Sequence, residues 1–197
     1  WGIAPEYIKF ELDGYTDYGS FHTAQILVYP AQEYAKVHDG AKSSIAKLQA
    51  IANGSAALTA DNLPTIPSFN AAQLFAAQIN KVQFANGSGV RFLTEYAQYS
   101  DTANSADLFY HFQGLTSDGK YYIIAILPVS HPLLAFDEKP DASIPPGGIA
   151  FPGFDNQSAM DAYYPSVVTL LNSAAPESFT PSLTSLDALI QSLTIAP

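Results

Sequence analysis

The candidate chemistry in this chain sits on two neighbouring strand-like runs. Arg91 and Glu95 fall on one face of VRFLTEYAQ (90–98), and His111 and Gln113 fall on one face of LFYHFQGL (108–115). Alternate residues of a strand share a face. If the two faces coincide, a guanidinium, a carboxylate, an imidazole and an amide converge on one patch that can hold a polar ligand. Register decides this, because a slip of one residue turns a whole set of side chains to the opposite face, and the loop 99–106 leaves the register open. The competing reading is a solvated sheet face carrying an Arg91–Glu95 ion pair. Arg91, Glu95, His111 and Gln113 are therefore the candidate binding residues, and no catalytic residue is assigned.

Other motifs carry less. Gly40-Ala41-Lys42-Ser43-Ser44 resembles a phosphate loop, but that motif needs Gly directly before Lys and a strand leading in, and here Ala41 precedes Lys42 within a helical period. Asn86-Gly87-Ser88-Gly89 lacks the Gly-x-Ser-x-Gly spacing of a nucleophile elbow and reads as a hairpin tip. His22, His38, His111 and His131 have no partner at short metal-box spacing, and the chain has no Cys, so no metal or cofactor is assigned. Asp101, Asn104 and Asp107 recur every three residues without the alternating oxygens and central Gly of a calcium loop, which favours Asx turns. Tyr96, Tyr99, Tyr110, Tyr121 and Tyr122 read as cross-strand packing, with a stacking platform for sugars or planar ligands as the sharper alternative. Asn53, Asn86 and Asn156 each open an Asn-x-Ser glycan acceptor pattern, which marks surface at most.

These residues need a scaffold, and the period of the apolar residues predicts one. Alternation over 5–13 and the short run 23–29 give two strands, with a turn region from Gly14 to Phe21 between them. Tyr34, Val37, Ala41, Ile45, Leu48 and Ile51 recur at helical spacing and predict a helix over 31–52, stopped at Asn53-Gly54. A short helical turn is expected at 70–77. Two antiparallel hairpins follow, about 79–98 and 108–129, with Gly in each connection where φ > 0 is needed. The Pro- and Gly-rich segment 131–155 reads as a long surface loop able to wall a cleft. Helices are predicted over 157–174, kinked or divided at Pro165, and over 182–193, with Pro181 at a first helical position. The result is one α+β domain spanning 1–197: a largely antiparallel sheet built on two hairpins plus two N-terminal strands, packed by three helices, with an α/β/α sandwich as its layered form.

Composition narrows the partners. Hydrophobic residues make up 48% of the 197 and charged residues only 13%, about half the usual share, so Ser, Thr, Asn, Gln and Tyr must carry the surface. That balance points to an exported protein. The net charge is −10, with −2 in residues 1–98 and −8 in 99–197, and no Lys or Arg follows Lys139. Nucleic acid and anionic lipid are excluded as partners, since both need clustered basic residues. No run of 18 apolar residues is present to span a membrane. The absence of Cys in a domain of this size fits a bacterial envelope or extracellular protein, with any signal peptide lying upstream of Trp1.

The strings RFLTEYAQY, LFYHFQGLTSDGKYYIIAILPVSHP and FPGFD, with WGIAPEYIKFELDGY and ILVYPAQEY near the start, resemble a group of uncharacterised bacterial secreted proteins or lipoproteins. The resemblance implies a cell-surface or secreted location and a lipid anchor on a Cys upstream of Trp1. It transfers no catalytic residues. The element order is also similar to the PsbP-like α/β/α sandwich, a likeness of fold alone. The leading expectation is thus a non-enzymatic extracytoplasmic domain that binds a small molecule or a protein. A hydrolase assembled from dispersed acids or histidines is the alternative from another class; it requires a concave pocket with two or more perturbed titratable groups. A structural interaction module of the cell surface, marked by a large exposed apolar patch, is the third.

Overall fold

In a computed structural model, residues 2–16, 23–67 and 69–196 are described. Trp1, His22 and most of the Gly14–Phe21 turn region lie outside them. Strand β1 (Ile8–Glu11) and strand β2 (Gln25–Pro30) precede helices α1 (Ala31–Val37) and α2 (Asp39–Ala52). Strands β3 (Ala72–Gln73), β4 (Ala77–Phe84), β5 (Gly87–Thr94), β6 (Tyr96–Ala97), β7 (Phe109–Thr116) and β8 (Tyr121–Pro128) follow, then helices α3 (Gln157–Ser173) and α4 (Leu183–Gln191). Six strands form one antiparallel sheet in the order β1-β2-β8-β7-β5-β4, and β3 and β6 form a separate two-stranded ladder.

The central strands explain the layering. Every residue of β7 is buried, and so is all of β8 after Tyr121, so both faces of the sheet must be covered. On one face, Tyr34 of α1 and Ile45, Leu48 and Ile51 of α2 pack with Leu27, Phe92, Ile124 and Ile126. On the other, Tyr163, Val167 and Leu171 of α3 and Leu183, Leu186 and Ile190 of α4 pack with Val28, Leu93, Phe112, Ile123 and Leu127. This is the α/β/α sandwich within the α+β class. Each fully buried Leu, Ile or Phe in it contributes about 1.5–3 kcal/mol relative to exposure. Among the described residues no helix is long and apolar enough to cross a membrane.

The structure departs from the periodicity at four places, each with a local cause. The helix predicted over 31–52 is two, because His38 leaves helical geometry (φ −143, ψ 114) and its Nδ1 accepts from the Gly40 and Ala41 amides as an N-cap. The turn predicted at 70–77 is extended chain, tied down by Leu74 N–H donating to Glu95 O and by Thr94 Oγ1 donating to Phe75 O. The first hairpin turns at Ala85-Asn86 with Phe84 opposite Gly87, so Ser88 lies within β5 and not at the tip. Gly87, Gly89 and Gly114 serve there as space for rings: a Cβ on Gly89 would lie 2.6 Å from Gly114 Cα and 2.7 Å from the Phe112 ring. The second hairpin does use the expected positive φ, at Gly119. Finally, α3 runs undivided through Pro165, and Ser182 caps α4 by accepting from the Ser185 amide, which leaves Pro181 outside the helix.

Candidate functional site

The register separates the four sequence-selected residues. Arg91 pairs with Phe112 while His111 pairs with Phe92, so Arg91 and His111 point to opposite faces of the sheet. The register thus rules out convergence of all four on one patch, and their burial rules out a solvated sheet face. Arg91 does not pair with Glu95. On the α3/α4 face its Nε lies 3.1 Å from Asp187 Oδ1, it donates to the Gln78 carbonyl, and Tyr110 donates to the same Asp187 oxygen at 2.8 Å. This network locks α4 onto β5 and β7. On the α1/α2 face, Tyr122 donates to Gln113 Oε1, so the Gln113 amide nitrogen faces His111 Nε2 at 2.7 Å and donates to it. The imidazole proton is thereby set on Nδ1, with Phe92 and Phe109 edge-on around the ring. These are internal polar networks of the core.

Glu95 leads elsewhere. It follows β5 and is 1 % exposed, with Oε1 accepting from the Asn104 amide at 2.9 Å and Oε2 without a partner among the described residues. Asn104 is the hub of the loop between β6 and β7. Its Oδ1 accepts from the Ala106 and Asp107 amides, the expected Asx turn, and its Nδ2 donates to Asp107 Oδ2 at 3.0 Å. The loop is held from two other elements. Tyr163 and Tyr164 of α3 accept from the Ala103 and Asp101 amides at 3.0 Å. The 131–155 segment pairs alongside through Ser105 N–H to Ala135 O, Ala106 N–H to Phe136 O and Thr102 N–H to Glu138 O.

Together these segments shape a cleft of about 570 Å³ lined by Phe69, Asn70, Ala71, Tyr96, Ala97, Gln98, Tyr99, Asp101, Asp107 and Glu138. That size suits a small organic ligand. The β3–β6 ladder supplies one wall, and Gln98 Nε2 donates to Asn70 O to close its end. Phe69 meets Tyr96 edge-on at 5.3 Å, and the Tyr96 hydroxyl accepts from the Ile66 amide. Tyr99 is 67 % exposed, whereas Tyr96, Tyr110 and Tyr122 are core residues, so these four do not line up as a stacking platform. The long loop does wall the cleft, through Glu138.

The carboxylates are electrostatically strained. Burial, with the charges of Asp107 and Glu138 adding, pushes Asp101 up to about 7, and its buried Oδ1 has no partner among the described residues. Burial raises Asp107 as well, partly offset by the hydrogen bond from Asn104. Glu95 is held well above the ordinary carboxylate range by burial, against the opposing Asn104 amide. Asp101 and Asp107 stood out in sequence with Asn104 as a three-residue recurrence read as Asx turns, whereas nothing local placed Glu138 beside them.

A second constellation was invisible in sequence: His131 Nε2 lies 3.1 Å from Ser178 Oγ. It is not a nucleophile–base pair. His131 Nδ1 accepts from the Leu133 amide, so Nε2 carries the proton and donates to Ser178 where a base would have to accept. Among the described residues no group of three or more His, Asp or Glu is placed to hold a metal ion. Set against known proteins, the chain matches no family model, no curated protein and no solved structure.

Proposed function

We propose that this protein is an extracytoplasmic ligand-binding domain, secreted or lipid-anchored at a bacterial surface, and that the cleft between the β3–β6 ladder and the 131–155 loop is its binding site. One observation carries the reading: a cleft of ligand size lined by three acidic and several aromatic side chains from four segments of chain. The low share of charged residues supports the location. Amide-resolved NMR titration of the whole chain with a panel of small amines, sugars, peptides and carboxylates tests it. Saturable shifts at Ala97, Gln98 and Asp101 are expected from at least one class. A panel that moves none of these resonances refutes it.

A hydrolase is the second reading, favoured by Asp101 standing at about 7, where a carboxyl can both give and take a proton near neutral pH. Asp107 and Glu95 are bridged to each other by the Asn104 hydrogen bonds and coupled to Asp101 through charge. Hydrolysis of chromogenic glycoside or ester substrates, abolished by Asp101→Asn, supports it; turnover unchanged by that substitution removes it.

A further inference from the structure

We propose that strand β1 pairs with β1 of a second copy of this chain, antiparallel and centred on Phe10, so that two six-stranded sheets join into one of twelve strands. β1 ends the sheet and has β2 as its single neighbour among the described residues. All four of its residues are exposed, including Ile8 at 58 % and Phe10 at 52 %. Those two lie opposite Val28 and Ile26, so they carry the apolar surface of the α3/α4 face onto an uncovered strand. The other edge of the sheet is closed to such pairing. There β4 is broken by a bulge between Ala77 and Asn80, Gln78 has φ 53, and its N–H donates to Asn172 Oδ1. The β1 register runs without a shift.

The ladder fixes which main-chain groups face outward. Leu12 N–H donates to Ala24 O in continuation of the β1–β2 register, and hydrogen-bonded pairs alternate along an antiparallel ladder. Ile8 and Phe10 therefore turn their backbone groups to β2, while the N–H and C=O of Lys9 and Glu11 point away from the sheet. A second strand must meet these with outward groups of its own, so a copy of β1 can pair only odd-numbered with odd-numbered residues. Charge then selects the register. Centring on Lys9 sets two ammonium groups opposite, centring on Glu11 sets two carboxylates opposite, and like charges there are destabilising. Centring on Leu12 sets Glu11 opposite Asp13, and centring on Ile8 sets Glu11 opposite Pro5, which has no N–H to give. Centring on Phe10 sets Lys9 opposite the second copy's Glu11 and Glu11 opposite its Lys9, with four main-chain hydrogen bonds between them. Within one copy Lys9 already lies 2.6 Å from Glu11, so the four charges alternate in sign around the axis. On the other face Phe10 meets Phe10 and Ile8 meets Leu12. The strand is complementary to itself in this register, and that makes a second copy its partner.

The test is sedimentation equilibrium of the whole chain from about 10 μM to about 1 mM, the range a small interface calls for. A concentration-dependent dimer is expected. Lys9→Glu should weaken it by about tenfold or more, since both cross-strand pairs become repulsive. Glu11→Lys should weaken it as much, although it lowers the net charge of −10 that pushes two copies apart. Mixing the two variants, or combining both changes in one chain, restores opposite charges across the axis and should restore the dimer. Both residues are exposed, and thermal unfolding checks that each variant keeps its fold. The register is read separately. The chain has no Cys, so Phe10→Cys introduces a sole thiol whose Cα lies about 4.5 Å from its symmetry mate, within disulfide reach. It should cross-link under copper phenanthroline, whereas Ile8→Cys, about 13 Å from its mate, should not. A chain monomeric at every concentration overturns the inference, whether β1 stays solvated or takes the strand of another protein. A dimer indifferent to Lys9→Glu, one that mixing does not restore, or equal cross-linking at positions 8 and 10 overturns it as well. None of these outcomes bears on the cleft, whose ligand titration stands apart.

Discussion

Replacing Asp101 with Asn should stabilise the protein, and by an amount that depends on pH. Asp101 is 7 % exposed and stands at about 7 against an ordinary value of 3.8, a gap of about three pH units. Such a gap corresponds to on the order of 4 kcal/mol of preference for the protonated form in the fold. A carboxyl raised on folding contributes stability that is complete below its unfolded value and is lost as pH rises through its folded value. The wild-type chain therefore loses this contribution between about pH 4 and pH 7, and Asn, which cannot ionise, does not. Near pH 4 the protonated acid and the amide are nearly isosteric, and the two proteins should agree within about 1 kcal/mol. Near pH 8 the variant should be more stable by about 2–4 kcal/mol, the lower figure applying where water in the cleft relieves part of the penalty. Glu95, freed of one neighbouring charge, acts in the same direction. Urea unfolding of both proteins at the two pH values gives the double difference, from which acidic groups that do not interact with Asp101 cancel. Equal stability at both pH values, or a variant weaker near pH 8, would show that Asp101 is not held ionised against its surroundings.

The remaining expectations concern the scaffold. Arg91→Met strands Asp187 and Tyr110 and should cost about 3–5 kcal/mol in chemical denaturation, most of it recovered in the Arg91→Met/Asp187→Leu double variant. A single variant as stable as wild type would refute the locking role. Gly89→Ala drives a methyl against the Phe112 ring and Gly114, at about 1–3 kcal/mol or more, whereas Gly119→Ala meets open space and costs about 1 kcal/mol through its positive φ alone. Equal costs by thermal unfolding would contradict that distinction. His38→Ala removes the cap of α2 and should cost about 1 kcal/mol, read as lost hydrogen-exchange protection in the first turn of α2.

The sheet was legible because its signals are local. Two hairpins with short connections carry long apolar runs, and a run buried on both faces announces helices above and below before any tertiary contact is known. The misreadings arose where a side chain acts on the backbone at a distance. Nothing in the spacing of Tyr34, Val37 and Ala41 shows that the His38 ring turns back to cap α2. Nothing near Gly87 or Gly89 shows that aromatic rings of Phe84 and Phe112 need that space, although a cluster of glycines facing aromatic strands is the form such a demand takes.

The site failed to show for a deeper reason. Searching strands for polar residues finds Arg91, Glu95, His111 and Gln113, but a polar side chain on a strand covered on both faces is obliged to find an internal partner. Three of the four did so, and that makes them structural. A binding group is the reverse case: a buried polar atom the fold leaves unpartnered. That property belongs to no residue alone. Asp101 acquires it because tyrosines of α3, more than sixty positions away, accept from the backbone of its loop and fix the residue at the cleft wall, while the 131–155 loop adds the charge of Glu138. Glu95, the fourth strand residue, is the link between the two cases. One oxygen is partnered by the Asn104 amide and the other by none of the described residues, so full pairing of the buried polar groups stops at the end of β5, beside the cleft.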